Sequence, residues 1–198
     1  MDDIKYTLDV NTLGPIRMIK EFLPLLKKSK GRIVNVTSLA GVITFPFITP
    51  YTISKYAAVG LAESLKQELD VWGIKVVSIE PELFQTGMSS SENVDRELGT
   101  SYKKFEKSLK DDYEDPIKYF TKLKQIVLYF ASPKVSAVVD DLESAVSLAY
   151  PDNTYKCRRN GFARFIVFCF EVLPRTWQLN ISKVIVRVLF PMPVKSER

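Results

Sequence analysis

Arg32-Ile33-Val34-Asn35-Val36-Thr37-Ser38, entered from Gly31, is a short run of β-branched and apolar residues that reads as a buried strand. Ahead of it Leu8, Leu13, Ile16, Ile19, Leu23 and Leu26 recur at helical spacing, and Gly31 closes that helix. The pattern then repeats: helical spacing from Tyr51 to Val71, Gly73, and a second buried-strand run from Ile74 to Pro81. Two successive helix-to-strand units predict parallel strands, because each helix carries the chain back to the edge from which it started. The expected fold class is α/β: the C-terminal part of a doubly wound parallel sheet with helices on both faces. Beyond a loop with Gly87, helices are predicted at about 91–110, 115–130 and 134–149, then a short strand near Thr154 to Cys157 and an apolar tail. Residues 1–198 read as a single domain, with a strand-helix core over 1–90, a helical substrate-side region over 91–150 and an apolar, basic extension over 151–198.

Composition narrows the chemistry. The chain has no histidine, which removes Ser-His-Asp and Cys-His nucleophiles, HExxH sites and most zinc geometries. Acid/base work falls to Tyr, Lys or a carboxylate. Cys157 and Cys169 are the only cysteines, and they read as buried thiols of a reducing compartment. The net charge of +5 is concentrated in the tail, where nine Lys/Arg from Lys156 to Arg198 face only Glu171 and Glu197. The same tail holds the apolar runs Phe162 to Leu173 and Ile181 to Phe190. Neither is long enough to span a bilayer, which takes about 20 residues. Their mixture of Phe, Ile and Val with Arg158, Arg159, Arg164, Lys183 and Arg187 suits an anionic membrane surface better than nucleic acid. Burial against the chain's own core is the other reading. Tyr102, Phe105, Tyr113, Tyr119 and Phe120 can wall a lipophilic pocket or be ordinary core.

Tyr51 and Lys55 are four residues apart on a predicted helix, so they share a face and the ammonium can stabilise a phenolate. Ser38 ends the preceding strand at the carboxyl edge of the sheet, where open α/β folds bind ligands. Pro15 lacks an N–H, which leaves the carbonyl of Asn11, four residues earlier, without its helical donor. That carbonyl can hold a water or mark a plain kink.

Taken as a set, Asp9-Val-Asn11-Thr-Leu-Gly14, Gly31 to Ser38, Tyr51-Thr-Ile-Ser-Lys55 and Gly73 to Pro81 through Thr86 resemble the short-chain dehydrogenase/reductases in order and spacing. The branch most resembled contains retinol dehydrogenases, 17-beta and 3-alpha hydroxysteroid dehydrogenases and D-beta-hydroxybutyrate dehydrogenase, with a weaker likeness at Pro174 and from Phe190 to Ser196. The resemblance implies a Rossmann-like sheet, an NAD cofactor with NADP equally open, and transfer of a hydride between it and a lipophilic alcohol or ketone. It implies Tyr51 as general acid/base, Lys55 as the residue that tunes Tyr51 and touches the nicotinamide ribose, Ser38 as the group orienting the substrate oxygen, and Asn11 as support for a relay water. Pro81 and Thr86 would contact the cofactor. The resemblance also implies a homodimer through the helices around 3–28 and 51–71, where Gly60, Ala57, Ala58 and Ala62 allow close approach. Peripheral membrane contact through 158–190 places the chain at the endoplasmic reticulum membrane or in the cytoplasm. No nucleic-acid partner and no metal are expected.

Two departures stand out. The eight glycines, at 14, 31, 41, 60, 73, 87, 99 and 161, are too widely spaced for a G-x-G-x-x-G phosphate loop. Pro81 is followed by Glu82 where the family has glycine, and a carboxylate there would crowd a loop that approaches the nicotinamide. The strand Ile33 to Val36 is expected to be a bare parallel edge. The reading that follows is a longer lipophilic-alcohol dehydrogenase lacking its N-terminal cofactor-binding segment and inactive in this form; a non-catalytic form that dimerises or sits on a membrane is the alternative.

Overall fold

The computed structural model describes residues 1–46, 48–103 and 116–189. They form two compact units, Met1–Glu82 with Ser136–Val172, and Leu83–Val135 with the segment from Leu173 onward.

The first unit is built on three parallel strands in the order β1 (Arg32–Val36), β2 (Lys75–Ile79) and β3 (Thr154–Tyr155). The N-terminal helix starts earlier than the spacing of leucines predicts: α1 (Asp2–Leu8) carries Asp2 and Asp3 in its first turn, where the helix dipole favours them. It passes through a π turn (Asp9–Leu13) into α2 (Gly14–Ser29). The Gly14 N–H reaches back to the Asp9 carbonyl, so the missing N–H of Pro15 follows directly on a widened turn. The helix ends at Lys30, not at Gly31; Lys30 takes the left-handed conformation at φ 49°. After β1, a 3-10 turn (Leu39–Gly41) leads to α3 (Thr49–Glu68), and a second one (Asp70–Trp72) ends on Gly73 at φ 69°, a conformation glycine adopts without a Cβ penalty.

Side chains alternate across the sheet. Ile33 and Val76 face α2 and α3 and meet Leu23, Leu26, Leu65, Leu69 and Ile74 in one cluster. On that face Asn35 Nδ2 donates to the Ala58 carbonyl at 3.0 Å, and Lys66 Nζ donates to Ser78 and Thr154 hydroxyls. Helix α6 (Ser136–Ser147) packs on β1 and β2, and the Arg32 guanidinium donates to the Ala145, Val146 and Leu148 carbonyls at its end. The two strand runs therefore differ more than their sequences predict. β2 has a strand on each side and is buried from Val76 to Ile79, whereas β1 has one strand neighbour among the described residues, is half-buried, and leaves Val36 48% exposed. The predicted bare edge is present; the predicted burial of β1 is not.

Past β3, helix α7 (Gly161–Glu171) is capped by the Asn160 side chain, which accepts from the Ala163 amide at 2.8 Å. Cys157 is buried and Cys169 half-buried, both as free thiols.

In the second unit, the Thr86 and Ser89 side chains cap the 3-10 turn Gly87–Ser89 reciprocally. Helices α4 (Ser91–Lys103) and α5 (Pro116–Phe130) pack together with a Lys124–Asp95 ion pair of 2.6 Å, and α8 (Arg175–Leu189) follows. The predicted helix 91–110 is described to Lys103. Phe105, Tyr113, the side chains of Tyr119 and Phe120, and the stretch Phe190 to Ser196 lie outside the described residues; Tyr102 is half-buried.

Candidate active site

β1 stops at Val36, and the next two residues turn toward β2. Thr37 donates both its N–H and its hydroxyl to the Ile79 carbonyl, at 2.8 and 2.9 Å. Ser38 is extended, and its hydroxyl oxygen accepts from the Ala40 amide at 3.1 Å, capping the Leu39–Gly41 turn. The Leu39 amide donates to the Pro81 carbonyl at 2.9 Å, so the ends of β1 and β2 are joined where Ser38 and Pro81 sit.

Gly41 lets this turn lie directly on α3. A Cβ there would be 2.6 Å from the Lys55 carbonyl oxygen and 2.7 Å from a Val59 methyl, both too close. Tyr56 locks the same loop by donating its hydroxyl to the Val42 carbonyl at 2.7 Å. Lys55 points toward the strand end: its Nζ donates to the Val36 carbonyl at 3.2 Å and lies 5.7 Å from the centroid of the Tyr51 ring. Burial lowers the Lys55 pKa from its ordinary value.

Asn11 joins through a residue the sequence reading passed over. Its Nδ2 donates to Ser54 Oγ at 3.0 Å, and the Ser54 hydroxyl donates to the Tyr51 carbonyl at 2.8 Å. Thr12 also donates to the Ser54 carbonyl at 3.2 Å. Ser54 is fully buried, so the π turn is tied to the first turn of α3 inside the structure. Its signal was its place in Tyr51-Thr-Ile-Ser-Lys55, where a buried hydroxyl needs a partner. Gly41, three residues after Ser38, was the other missed element.

Glu82 turns toward Arg159. Its carboxylate is 6% exposed and accepts from the Arg159 amide and, at 2.9 Å, from Arg159 Nε. Thr86 belongs to the second unit, where it is exposed and caps its own turn. The first unit thus assembles Ser38, Tyr51, Lys55, Pro81 and, through Ser54, Asn11. On α3, Ala58 and Ala62 are buried in the chain's own core, which leaves Gly60 exposed and Ala57 half-buried among the small residues noted for helix contact.

A family profile described as short chain dehydrogenase matches residues 1–97, the span that carries Asn11, Ser38, Tyr51, Ser54, Lys55 and Pro81. Mouse estradiol 17-beta-dehydrogenase 2 is 34% identical over 148 residues, 74% of this chain and 39% of the relative. The chain belongs to the short-chain dehydrogenase family. Human 17-beta-hydroxysteroid dehydrogenase type 6 is 30% identical, with 89% of this chain and 58% of the relative covered. Mouse retinol dehydrogenase 16 is 32% identical, with 77% and 48% covered. This short-chain dehydrogenase therefore spans 39% to 58% of the length of these relatives. Its fold matches a short chain dehydrogenase from Burkholderia cenocepacia in complex with NADP, at a TM-score of 0.58 and 17% identity over 90% of this chain and 58% of that one.

Proposed function

We propose that this edge transfers a proton to or from a lipophilic alcohol or ketone of the retinol or hydroxysteroid type, in an oxidoreductase that uses NAD or NADP. The observation that carries the reading is the Lys55 ammonium, held between the Tyr51 ring and the Val36 carbonyl. An ammonium has three donors, and the Val36 carbonyl takes one; the donor set fits the hydroxyls of a nicotinamide ribose together with the Tyr51 phenol. Bound there, the nicotinamide supplies or accepts the hydride.

The chain's own residues do the remaining work. Tyr51 takes the proton of the alcohol hydroxyl during oxidation and returns it during reduction. Lys55 keeps its ammonium beside the Tyr51 ring during that exchange. Ser38, at the strand end, donates to the substrate oxygen and fixes its direction. Asn11, through Ser54, holds the Tyr51 turn in place. Pro81 borders the nicotinamide end.

The test joins residues 1–198 to the N-terminal half of a homologous dehydrogenase and follows cofactor reduction with retinol and estradiol. Turnover of either is expected, and Tyr51→Phe lowers it by about 10²- to 10⁴-fold. A folded Tyr51→Phe chain with unchanged turnover overturns the assignment.

A lipid surface is the natural supply of such a substrate, and α7 supports contact with one. Phe162, Phe165, Ile166 and Phe168 are all exposed, beside exposed Arg164. No described helix is long and apolar enough to cross a membrane, so the contact proposed is peripheral. Self-pairing of α3 has support at its exposed Gly60, where an added Cβ would meet nothing within 4 Å among the described residues.

A further inference from the structure

A buried and a half-buried arginine–glutamate pair flank Pro81. The Arg158 guanidinium, with its side chain 1% exposed, pairs with the Glu80 carboxylate through Nη2 and donates from Nη1 to the Glu80 carbonyl at 2.6 Å. One residue on, the Arg159 amide and Nε converge on one oxygen of the Glu82 carboxylate. The backbone repeats the arrangement: Glu80 N–H donates to the Tyr155 carbonyl at 2.8 Å, Cys157 N–H to the Glu80 carbonyl and Glu82 N–H to the Cys157 carbonyl, both at 3.1 Å.

In an extended chain, alternate residues present their N–H and C=O to opposite neighbours. Glu80 and Glu82 are committed toward the segment Tyr155–Arg159, which leaves the Pro81 carbonyl directed the other way, toward the end of β1. There it accepts the Leu39 amide at 2.9 Å, next to Ser38. Pro81 has no N–H and a fixed φ, so its carbonyl is its only backbone hydrogen-bonding group and its direction is set by the two residues beside it.

We propose that Arg158 and Arg159 are positioning residues for Ser38: their pairs with Glu80 and Glu82 hold Pro81 from both sides, and the Pro81 carbonyl holds Leu39 and with it the serine hydroxyl. This rests on the reading of Ser38 as the group that orients the substrate oxygen. The clamp itself is a property of the 198-residue chain and is measured without turnover. A merely structural role would be met by any pair that fills the same volume, because apolar residues often replace a buried ion pair without loss of stability. A positioning role needs the directional contact from the guanidinium to the Glu80 carbonyl and from Arg159 to the Glu82 carboxylate.

The experiment is amide hydrogen exchange and amide-proton chemical shifts on the whole chain, for wild type, Arg158→Met/Glu80→Met, Arg158→Lys and Arg159→Gln. In the double variant the Glu171 carboxylate loses its 3.7 Å contact with Arg158 and keeps Lys156, so some stability is lost; exchange at Leu39 is expected to quicken by about tenfold relative to its neighbours, and the Ala40 amide, whose proton Ser38 Oγ accepts, shifts. Arg158→Lys is expected to restore part of the Leu39 protection. Arg159→Gln, at a side chain 29% exposed, leaves the fold intact and produces the same change at Leu39 in smaller measure. Unchanged Leu39 exchange and Ala40 shift in a folded Arg159→Gln or double-variant chain overturn the proposal. If the double variant unfolds, Arg159→Gln decides alone. Should Tyr51→Phe leave turnover of the joined enzyme untouched, the catalytic reading fails while the Leu39 result still stands or falls by itself.

Discussion

Lys55 Nζ donates to the Val36 carbonyl at 3.2 Å and lies 5.7 Å from the centroid of the Tyr51 ring, so one ammonium joins the first turn of α3 to the end of β1. Burial disfavours its charged form and lowers its pKa from 10.5. A base with a depressed folded pKa binds fewer protons in the folded state than in the unfolded one. Stability therefore rises as pH climbs from the folded value toward 10.5. Thermal midpoints measured from pH 7 upward should show this rise for the wild type and lose it in Lys55→Met; superimposable profiles would refute the burial of that charge.

Ser54→Ala should destabilise the chain by about 1–3 kcal/mol, because it strips the Asn11 amide of its partner inside the structure. Asn11→Ala, which removes the donor but leaves Ser54 donating to the Tyr51 carbonyl, should cost less. Urea unfolding of the two single variants and the double variant measures the coupling. Strict additivity would mean the two side chains do not act together.

Cys157 is enclosed, and burial pushes its thiol pKa up from 9.0 to about 12. In native chain at pH 8, a thiol reagent should modify Cys169 and spare Cys157, with Cys157 reacting only after denaturation. The linkage runs opposite to that of Lys55: the folded state keeps the thiol proton that the unfolded state loses, so this contribution is intact below pH 9 and fades toward pH 12. Rapid alkylation of native Cys157, located by mass spectrometry, is the contrary outcome.

The purified 198 residues should bind NADH or NADPH weakly, with no saturation at micromolar cofactor in calorimetry. Lys55 is the donor proposed for the nicotinamide end, yet no glycine pair within the chain is spaced to bring backbone amides around a pyrophosphate. Micromolar affinity would mean another set of groups holds the phosphates.

On anionic vesicles the chain should float, and a Phe162→Ser/Phe165→Ser variant should float less, with salt weakening both through the basic contribution. Equal flotation of variant and wild type would assign the apolar face of α7 to some other contact.

Much of this was legible before any coordinates. The parallel order of β1 and β2, the Tyr51–Lys55 pairing and the place of Ser38 at the strand end follow from periodicity and spacing, which act within a few residues. What escaped depends on contacts between distant segments. Ser54 matters because Asn11 lies 43 residues away in sequence and beside it in space. The pairing of Glu82 with Arg159 is of the same kind, since 77 residues separate them. The bare edge of β1 is expected from the sequence, whereas its half-burial is not, because an apolar strand run does not say how far the helices cover it.

The open side of β1 also bears on how the chain reaches its fold. Its one strand partner among the described residues, β2, lies beyond the whole of α3, so the pairing of Ile33 with Val76 closes a long loop before it is rewarded, and such non-local parallel pairings form slowly. During that interval β1 and the apolar side of α2, a groove of about 450 Å³ lined by Met18, Phe22, Leu25 and Ile33, are available to other chains. Association between half-folded molecules rises with concentration while folding does not, so refolding yield is expected to fall steeply with protein concentration and to recover on dilution. A charged residue in place of Val34, on the strand that carries this edge, would trade packing against α6 for a slower loss to aggregates.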